Sequence, residues 1–164
     1  GDDAMAAVAP TCTFYDPERI PPIGLEVGKV YTDGQKSDVF VFRPVTDLIF
    51  LKRNFVFRPE FKMYVAPLLK KSILKMLTVR MASSLSLIDH EATVLMDVLR
   101  EAVYHGEDFY NMLYKDVVYV AEKYRTCESA YFDPKPFEYY RIRVLEGSFS
   151  TWKPLEAEVV HLLE

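Results

Sequence analysis

The sequence predicts an α+β fold with segregated parts, and three observations carry that expectation. Strand-forming clusters bounded by Gly and Pro fill the chain up to about Phe57. After Pro67 the apolar residues switch to helical spacing. Half of the 164 residues are hydrophobic and 27% are charged, enough apolar material for a sizeable core. Runs of strands followed by runs of helices pack as two parts rather than as alternating βαβ units.

Taken in order, Ala4 to Ala9 reads as a short buried strand. Asp16-Pro17-Glu18 reads as a helix start, with Asp16 as N-cap and Pro17 at the first helical position, while Pro21-Pro22 keep that helix short. Thr32-Asp33-Gly34 is a turn signal that places Lys36 on a loop leading into strand formers Val39 to Phe42. Leu48 to Leu51 and Phe55 to Phe57 are apolar runs separated by Lys52-Arg53-Asn54, the pattern of a hairpin with a polar bend. Pro44 and Pro59 bracket it, as suits strand margins.

Beyond Pro67, Leu69, Ile73, Met76 and Leu77 share one helical face and Lys70, Lys71 and Lys75 lie on another. A second helix is expected to start at Asp89 as cap, turn Ala92, Leu95, Leu99 and Val103 inward, and stop at Gly106. A third carries Phe109, Leu113, Val117 and Val120 inward. Past Cys127 the pattern weakens, Pro134 and Pro136 break helices, and Leu155 to Leu163 has the spacing of a short terminal helix.

The formal charge of −4 conceals a segregation, because the stretch from Lys52 to Arg80 holds eight cationic side chains against Glu60 alone, a local +7. A cationic stripe of this kind is the footprint of polyanion binding even in a chain that is acidic overall. Cys12 and Cys127 form no CxxC or Cys/His cluster, so neither a disulfide framework nor a zinc site is expected, and a reducing compartment is the simplest reading. No apolar stretch approaches the roughly 18–20 residues that cross a bilayer. His90 and His105 lie near Glu91 and Glu107 but lack metal-ligand spacing, and they read as helix-end polar residues.

Several short motifs follow one another in an informative order: Gly1-Asp2-Asp3, then Ile23-Gly24-Leu25, Tyr31-Thr32, Gln35-Lys36-Ser37, Phe50-Leu51-Lys52-Arg53-Asn54-Phe55, and Tyr104-His105-Gly106-Glu107-Asp108-Phe109-Tyr110. In this succession they resemble the carboxy-terminal half of a picorna-like positive-strand RNA virus RNA-dependent RNA polymerase. Gly-Asp-Asp resembles motif C, the next three resemble motif D, Phe-Leu-Lys-Arg resembles motif E, and the last is similar to a thumb signature. The resemblance covers residues 1–125 or so. It departs from the family pattern in lacking the aromatic residue before motif C and the fingers with motifs A, B and F, and in having Gln35 where an acidic residue is common.

The resemblance implies the rear of a right-hand polymerase palm over residues 1–62, a helical thumb over 63–128, and a tail over 129–164. It implies two-metal nucleotidyl transfer with Mg2+ or Mn2+, the hard cations that oxygen ligands suit. Asp2 would then be a direct metal ligand and Asp3 an auxiliary one, on a tight turn that Gly1 allows. Lys36 would act as general acid toward departing pyrophosphate. Lys52 and Arg53 would touch the primer backbone, and Lys70, Lys71 and Lys75 would follow phosphates of the product duplex. The implied partners are template–primer RNA, nucleoside triphosphates and the missing fingers and amino-terminal palm of the same polyprotein, in viral replication complexes of the host cytoplasm. The chain reads as cut from a larger domain. Its partner carboxylate on motif A lies outside the sequence, so the isolated segment is expected to hold metal weakly and to be inactive. A second reading, from a different class, is a noncatalytic RNA-binding or protein-interaction module.

Overall fold

A computed structural model describes residues 4–9, 11–34, 36–37 and 39–149 of the chain. They fall into two compact units that divide between Phe55 and Val56.

In the first unit Asp16 does cap a helical turn: its carboxylate accepts a hydrogen bond from the Glu18 N–H at 3.0 Å, and a 3-10 turn, Pro17–Arg19, leads into α1, Ile20–Glu26. Pro21 and Pro22 are tolerated because they lie in the first turn, where N–H groups have no intrahelical acceptor. The helix ends at Gly28, whose φ of +73° is the left-handed geometry of a helix stop.

Two expected strands are absent from this unit. Ala4 to Ala9 is extended coil with mostly exposed side chains, and Val39 to Phe42 is also coil, with Phe42 61% exposed. Strand formers become a strand only beside a partner, and no ladder reaches either segment among the described residues. The hairpin is present but its bend is shifted. Strands β1, Ile49–Phe50, and β2, Arg53–Asn54, pair antiparallel in the register Ile49↔Asn54 and Phe50↔Arg53. Leu51 and Lys52 alone form the bend, with φ of +50° and +61°. Positive φ at both central residues marks the two-residue turn whose twist matches that of the flanking strands. Arg53 is therefore a strand residue and Lys52 the tip.

The second unit begins with another hairpin, β3, Val56–Arg58, and β4, Met63–Val65, paired as Val56↔Val65, Phe57↔Tyr64 and Arg58↔Met63. Phe57 thus belongs to this hairpin. Its turn carries Phe61, which is fully buried among Tyr104 and Phe137 at ring separations of 6.2 Å. Four helices follow: α2, Lys70–Met76; α3, Leu87–Val103; α4, Glu107–Lys123; and α5, Phe137–Leu145.

Helix α3 turns Ala92, Leu95, Leu99 and Val103 inward as its spacing predicts. Its cap is Ser86, not Asp89. Ser86 Oγ accepts from the Asp89 N–H at 3.2 Å and donates to the Asp89 carboxylate at 2.7 Å, so Asp89 is the third residue of the helix and braces its cap. Ser129 donates a second hydrogen bond to Asp89 at 2.6 Å, and these hydroxyls hold the carboxyl below its ordinary pKa. On α4 the buried line is Tyr110, Leu113, Val117 and Ala121: Leu113 and Val117 face inward as expected, while Tyr110 and Ala121 take the places expected of Phe109 and Val120. Phe109 and Val120 lie at its margins because Tyr110 takes the central place, its hydroxyl donating to the Lys135 carbonyl. Burial raises that phenol's pKa far above normal.

Pro134 and Pro136 lie outside the helices, as expected, and Pro136 immediately precedes α5, where its lack of an N–H costs nothing. Phe137, Tyr140 and Val144 of α5 join the core cluster of Phe61, Ile73, Val98, Leu99 and Tyr110. Each fully buried side chain of this size contributes about 1.5–3 kcal/mol. Residues 137–149 are thus part of the helical unit, while Leu155 to Leu163 lies outside the described residues.

Candidate nucleic-acid interface

Asp2 and Asp3 lie outside the described residues, as does Gln35. Lys36 lies on a loop of the first unit. A turn closes from Asp33 to Lys36, where the Lys36 N–H donates to the Asp33 carbonyl at 2.7 Å and the Lys36 backbone adopts φ of +58°. The Asp33 carboxylate pairs with Arg43 Nη1 at 2.7 Å, both side chains largely shielded, and ties together the two ends of the loop. Ser37 adds a local brace, its Oγ accepting from the Val39 N–H and donating to the Val39 carbonyl, each at 3.0 Å. Lys36 itself is exposed on this braced loop. The sequence reading missed the Asp33–Arg43 pair, because residues ten apart across a loop show no periodicity.

The Gly24–Tyr31 relation was also invisible in sequence. A Cβ on Gly24 would fall onto Tyr31 Cδ2, 2.7 Å from Tyr31 Cε2 and 3.0 Å from the Lys29 carbonyl. The Tyr31 ring lies directly on the α1 backbone, and the Lys29 N–H donates to the Gly24 carbonyl at 2.9 Å. Two of the short motifs therefore touch each other, and glycine is required by that contact.

Lys52 is exposed at the tip of the β1–β2 bend, while Arg53 is half-buried on β2. In the second unit Lys70, Lys71 and Lys75 are all exposed on α2, and Ile73 is the residue that anchors this helix. The structure thus brings Lys36, Lys52 and Arg53 into one unit and Lys70, Lys71 and Lys75 into the other.

The Tyr104 to Tyr110 motif joins α3 to α4, and each of five residues in it has a distinct contact. Tyr104 accepts from Arg58 Nε at 3.2 Å through its carbonyl. His105 Nε2 lies 2.7 Å from the Leu68 carbonyl, and its ring meets Phe109 edge-on with centroids 5.0 Å apart. Burial lowers the His105 pKa, with the Leu68 contact opposing and the Lys70 and Arg58 charges assisting. Gly106 has φ of +93° and ψ of 172° and precedes α4, with Glu60 Oε1 only 2.8 Å from where a Cβ would stand. Glu60 Oε2 is buried with no hydrogen-bond partner among the described residues. Phe109 lies beneath the Lys70 ammonium at 4.4 Å, and Tyr110 fills the core.

An apolar groove of about 620 Å³ lies among α2, α3 and α4, lined by residues such as Leu74, Leu77, Val94 and Val117. Arg80, His90, Glu91 and Asp116 also line it. Among the described residues no group of three or more His, Cys, Asp and Glu side chains is placed to hold a metal, and no helix is long and apolar enough to cross a membrane. Cys12 and Cys127 are free thiols.

Exposed lysines thus stand on a turn, a hairpin tip and a helix. The profile described as viral RNA-dependent RNA polymerase matches residues 1–123. The chain belongs to that family. This polymerase-family segment is 33% identical over 118 residues to the replicase polyprotein of Drosophila C virus (strain EB), an alignment covering 69% of the chain and 6% of that protein. It is also 33% identical over 102 residues to the replicase polyprotein of cricket paralysis virus, covering 60% of the chain and 6% of that protein. The chain therefore spans only a small fraction of the curated relatives it matches.

Proposed function

We propose that this chain is the rear of the palm and the thumb of an RNA-directed RNA polymerase, and that in the complete protein it takes part in template-directed joining of nucleoside triphosphates to RNA. The observation that carries the reading is the family match across residues 1–123, a span that includes every motif from Gly1-Asp2-Asp3 to Tyr110. Residues 1–62 are assigned to the palm, 63–128 to the thumb and 129–164 to the tail. The second compact unit starts seven residues before the assigned thumb because the β3–β4 turn inserts Phe61 into the helical core.

Asp2 and Asp3 offer hard carboxylate oxygens, a donor set that suits Mg2+ or Mn2+. When bound, the metal pair activates the attacking 3′-hydroxyl and neutralises charge on the leaving pyrophosphate. Lys36 Nζ, exposed on its braced loop, would give a proton to pyrophosphate; positioned proton transfer contributes typically about 10²–10⁴-fold. Lys52 at the hairpin tip holds the primer backbone, and Arg53 supports that contact from β2. Lys70, Lys71 and Lys75 hold duplex phosphates without reading sequence, as copying requires. The exposed Phe14, Leu25, Val30 and Phe42 of the first unit supply apolar surface for the fingers and remaining palm of the same polyprotein. The isolated segment is proposed to be inactive and the complete protein to work in cytoplasmic replication complexes.

The test is Asp2→Asn in the complete polymerase. Elongation should be abolished while affinity for template–primer RNA stays near wild type. Equal loss of both would favour a noncatalytic RNA-binding module.

A further inference from the structure

We infer that Phe109 is a positioning residue that aims the Lys70 ammonium at RNA phosphate, with His105 holding the Phe109 ring; this rests on the reading of α2 as a phosphate-tracking helix. A lysine on an exposed helix face ordinarily samples many rotamers, and ordering it is a cost of binding. Here Lys70 Nζ sits 4.4 Å from the Phe109 ring centroid, within cation–π range. The ring is itself fixed, because His105 meets it at 62° with centroids 5.0 Å apart. His105 in turn is held 2.7 Å from the Leu68 carbonyl, two residues before Lys70. Leu68, His105, Phe109 and Lys70 form a closed circuit from the segment before α2, across to the start of α4, and back.

A salt bridge would also restrain Lys70, but it would cancel the charge that phosphate needs. Among the described residues no carboxylate lies within ion-pair distance of Lys70. The ring quadrupole orders the ammonium while leaving its full charge and its outward N–H donors available. Phe109 is half-buried and packs against the edge of the core, which leaves part of its ring open to Lys70, whereas Tyr110 is fully buried.

The experiment measures binding of a primer–template RNA duplex to the complete polymerase across a salt series. The variants are Phe109→Leu, Phe109→Tyr, Lys70→Ala and Lys70→Ala combined with Phe109→Leu. Phe109→Leu should weaken binding about two- to tenfold, the effect of ordering one rotamer-rich side chain, with the salt slope unchanged because the charge remains. Phe109→Tyr should restore affinity, and Phe109→Leu should have no effect once Lys70 is Ala. Lys70→Ala should reduce the magnitude of the log–log slope by ~0.7–0.9. If Lys70→Ala works as stated but Phe109→Leu binds as wild type, or weakens both backgrounds equally, this inference alone is overturned. If Lys70→Ala changes neither affinity nor slope, the phosphate-tracking reading of α2 falls and the inference with it. Should Phe109→Leu unfold the thumb, the Lys70 ε-methylene proton shift in the wild-type protein decides. A ring-current upfield shift that persists with RNA supports positioning, and its loss on RNA addition overturns it.

Discussion

Replacing Gly106 by Ala tests the junction on which the helical unit turns. The Gly106 backbone, at φ of +93° and ψ of 172°, occupies a region that L-residues adopt at a cost of about 1–3 kcal/mol. The new methyl would also stand 2.8 Å from Glu60 Oε1, so the Glu60 side chain must shift to admit it. Strain and crowding together should destabilise the unit by about 2–4 kcal/mol. For a unit of this size that corresponds to a fall in Tm of roughly 10–25 °C. Urea unfolding of the 164-residue chain followed by helical circular dichroism at 222 nm reads the change. The Glu60→Ala background separates the two parts: crowding should vanish there and the backbone cost should remain. A loss below about 0.5 kcal/mol for Gly106→Ala would falsify the argument, and an unchanged cost in the Glu60→Ala background would remove the carboxylate from it.

Two further predictions concern other contacts. Gly24→Ala should lower the stability of the first unit by up to ~2 kcal/mol, since displacement of Tyr31 outweighs the gain in helix propensity. In a Tyr31→Ala background the cost should shrink, the Lys29 carbonyl at 3.0 Å still crowding the methyl; chemical denaturation that shows the same cost in both backgrounds refutes the Tyr31 contact. For His105, whose pKa is lowered in the fold by burial from 6.5, the unfolded chain binds the proton more readily. Stability is therefore complete above pH 6.5 and declines as pH falls from there toward the lower folded value. Denaturation midpoints measured from pH 5 to 8 should lose this part of their slope in His105→Gln; an unaltered profile means His105 titrates freely.

Much of the helical unit was legible because its elements are local and periodic. The inward face of α3 and the existence of α4 follow from apolar spacing alone, which reports burial whenever one side of a helix meets a core. On α4 Leu113 and Val117 were read correctly, but Phe109 was chosen over Tyr110 because they are adjacent aromatics that spacing cannot rank. What ranks them is contact: Tyr110 finds Phe137, Tyr140 and the Lys135 carbonyl, while Phe109 meets a histidine and a lysine. The β portion was less legible. Val39 to Phe42 has the composition of a strand and is coil among the described residues, because a ladder is formed with another segment and composition names none.

The candidate site divides along the same line. Motif order by itself determined the family and nominated Asp2, Asp3, Lys36, Lys52, Arg53, Lys70, Lys71 and Lys75, since short chemical signatures persist in sequence wherever the chain goes. Tertiary structure alone decided that Asp33 and Arg43 brace the Lys36 loop, that Tyr31 requires glycine at position 24, and that Phe109 carries Lys70. Those are contacts between residues 7, 10 and 39 positions apart, and no local rule of propensity or spacing connects such pairs until the backbone brings them within a few ångströms.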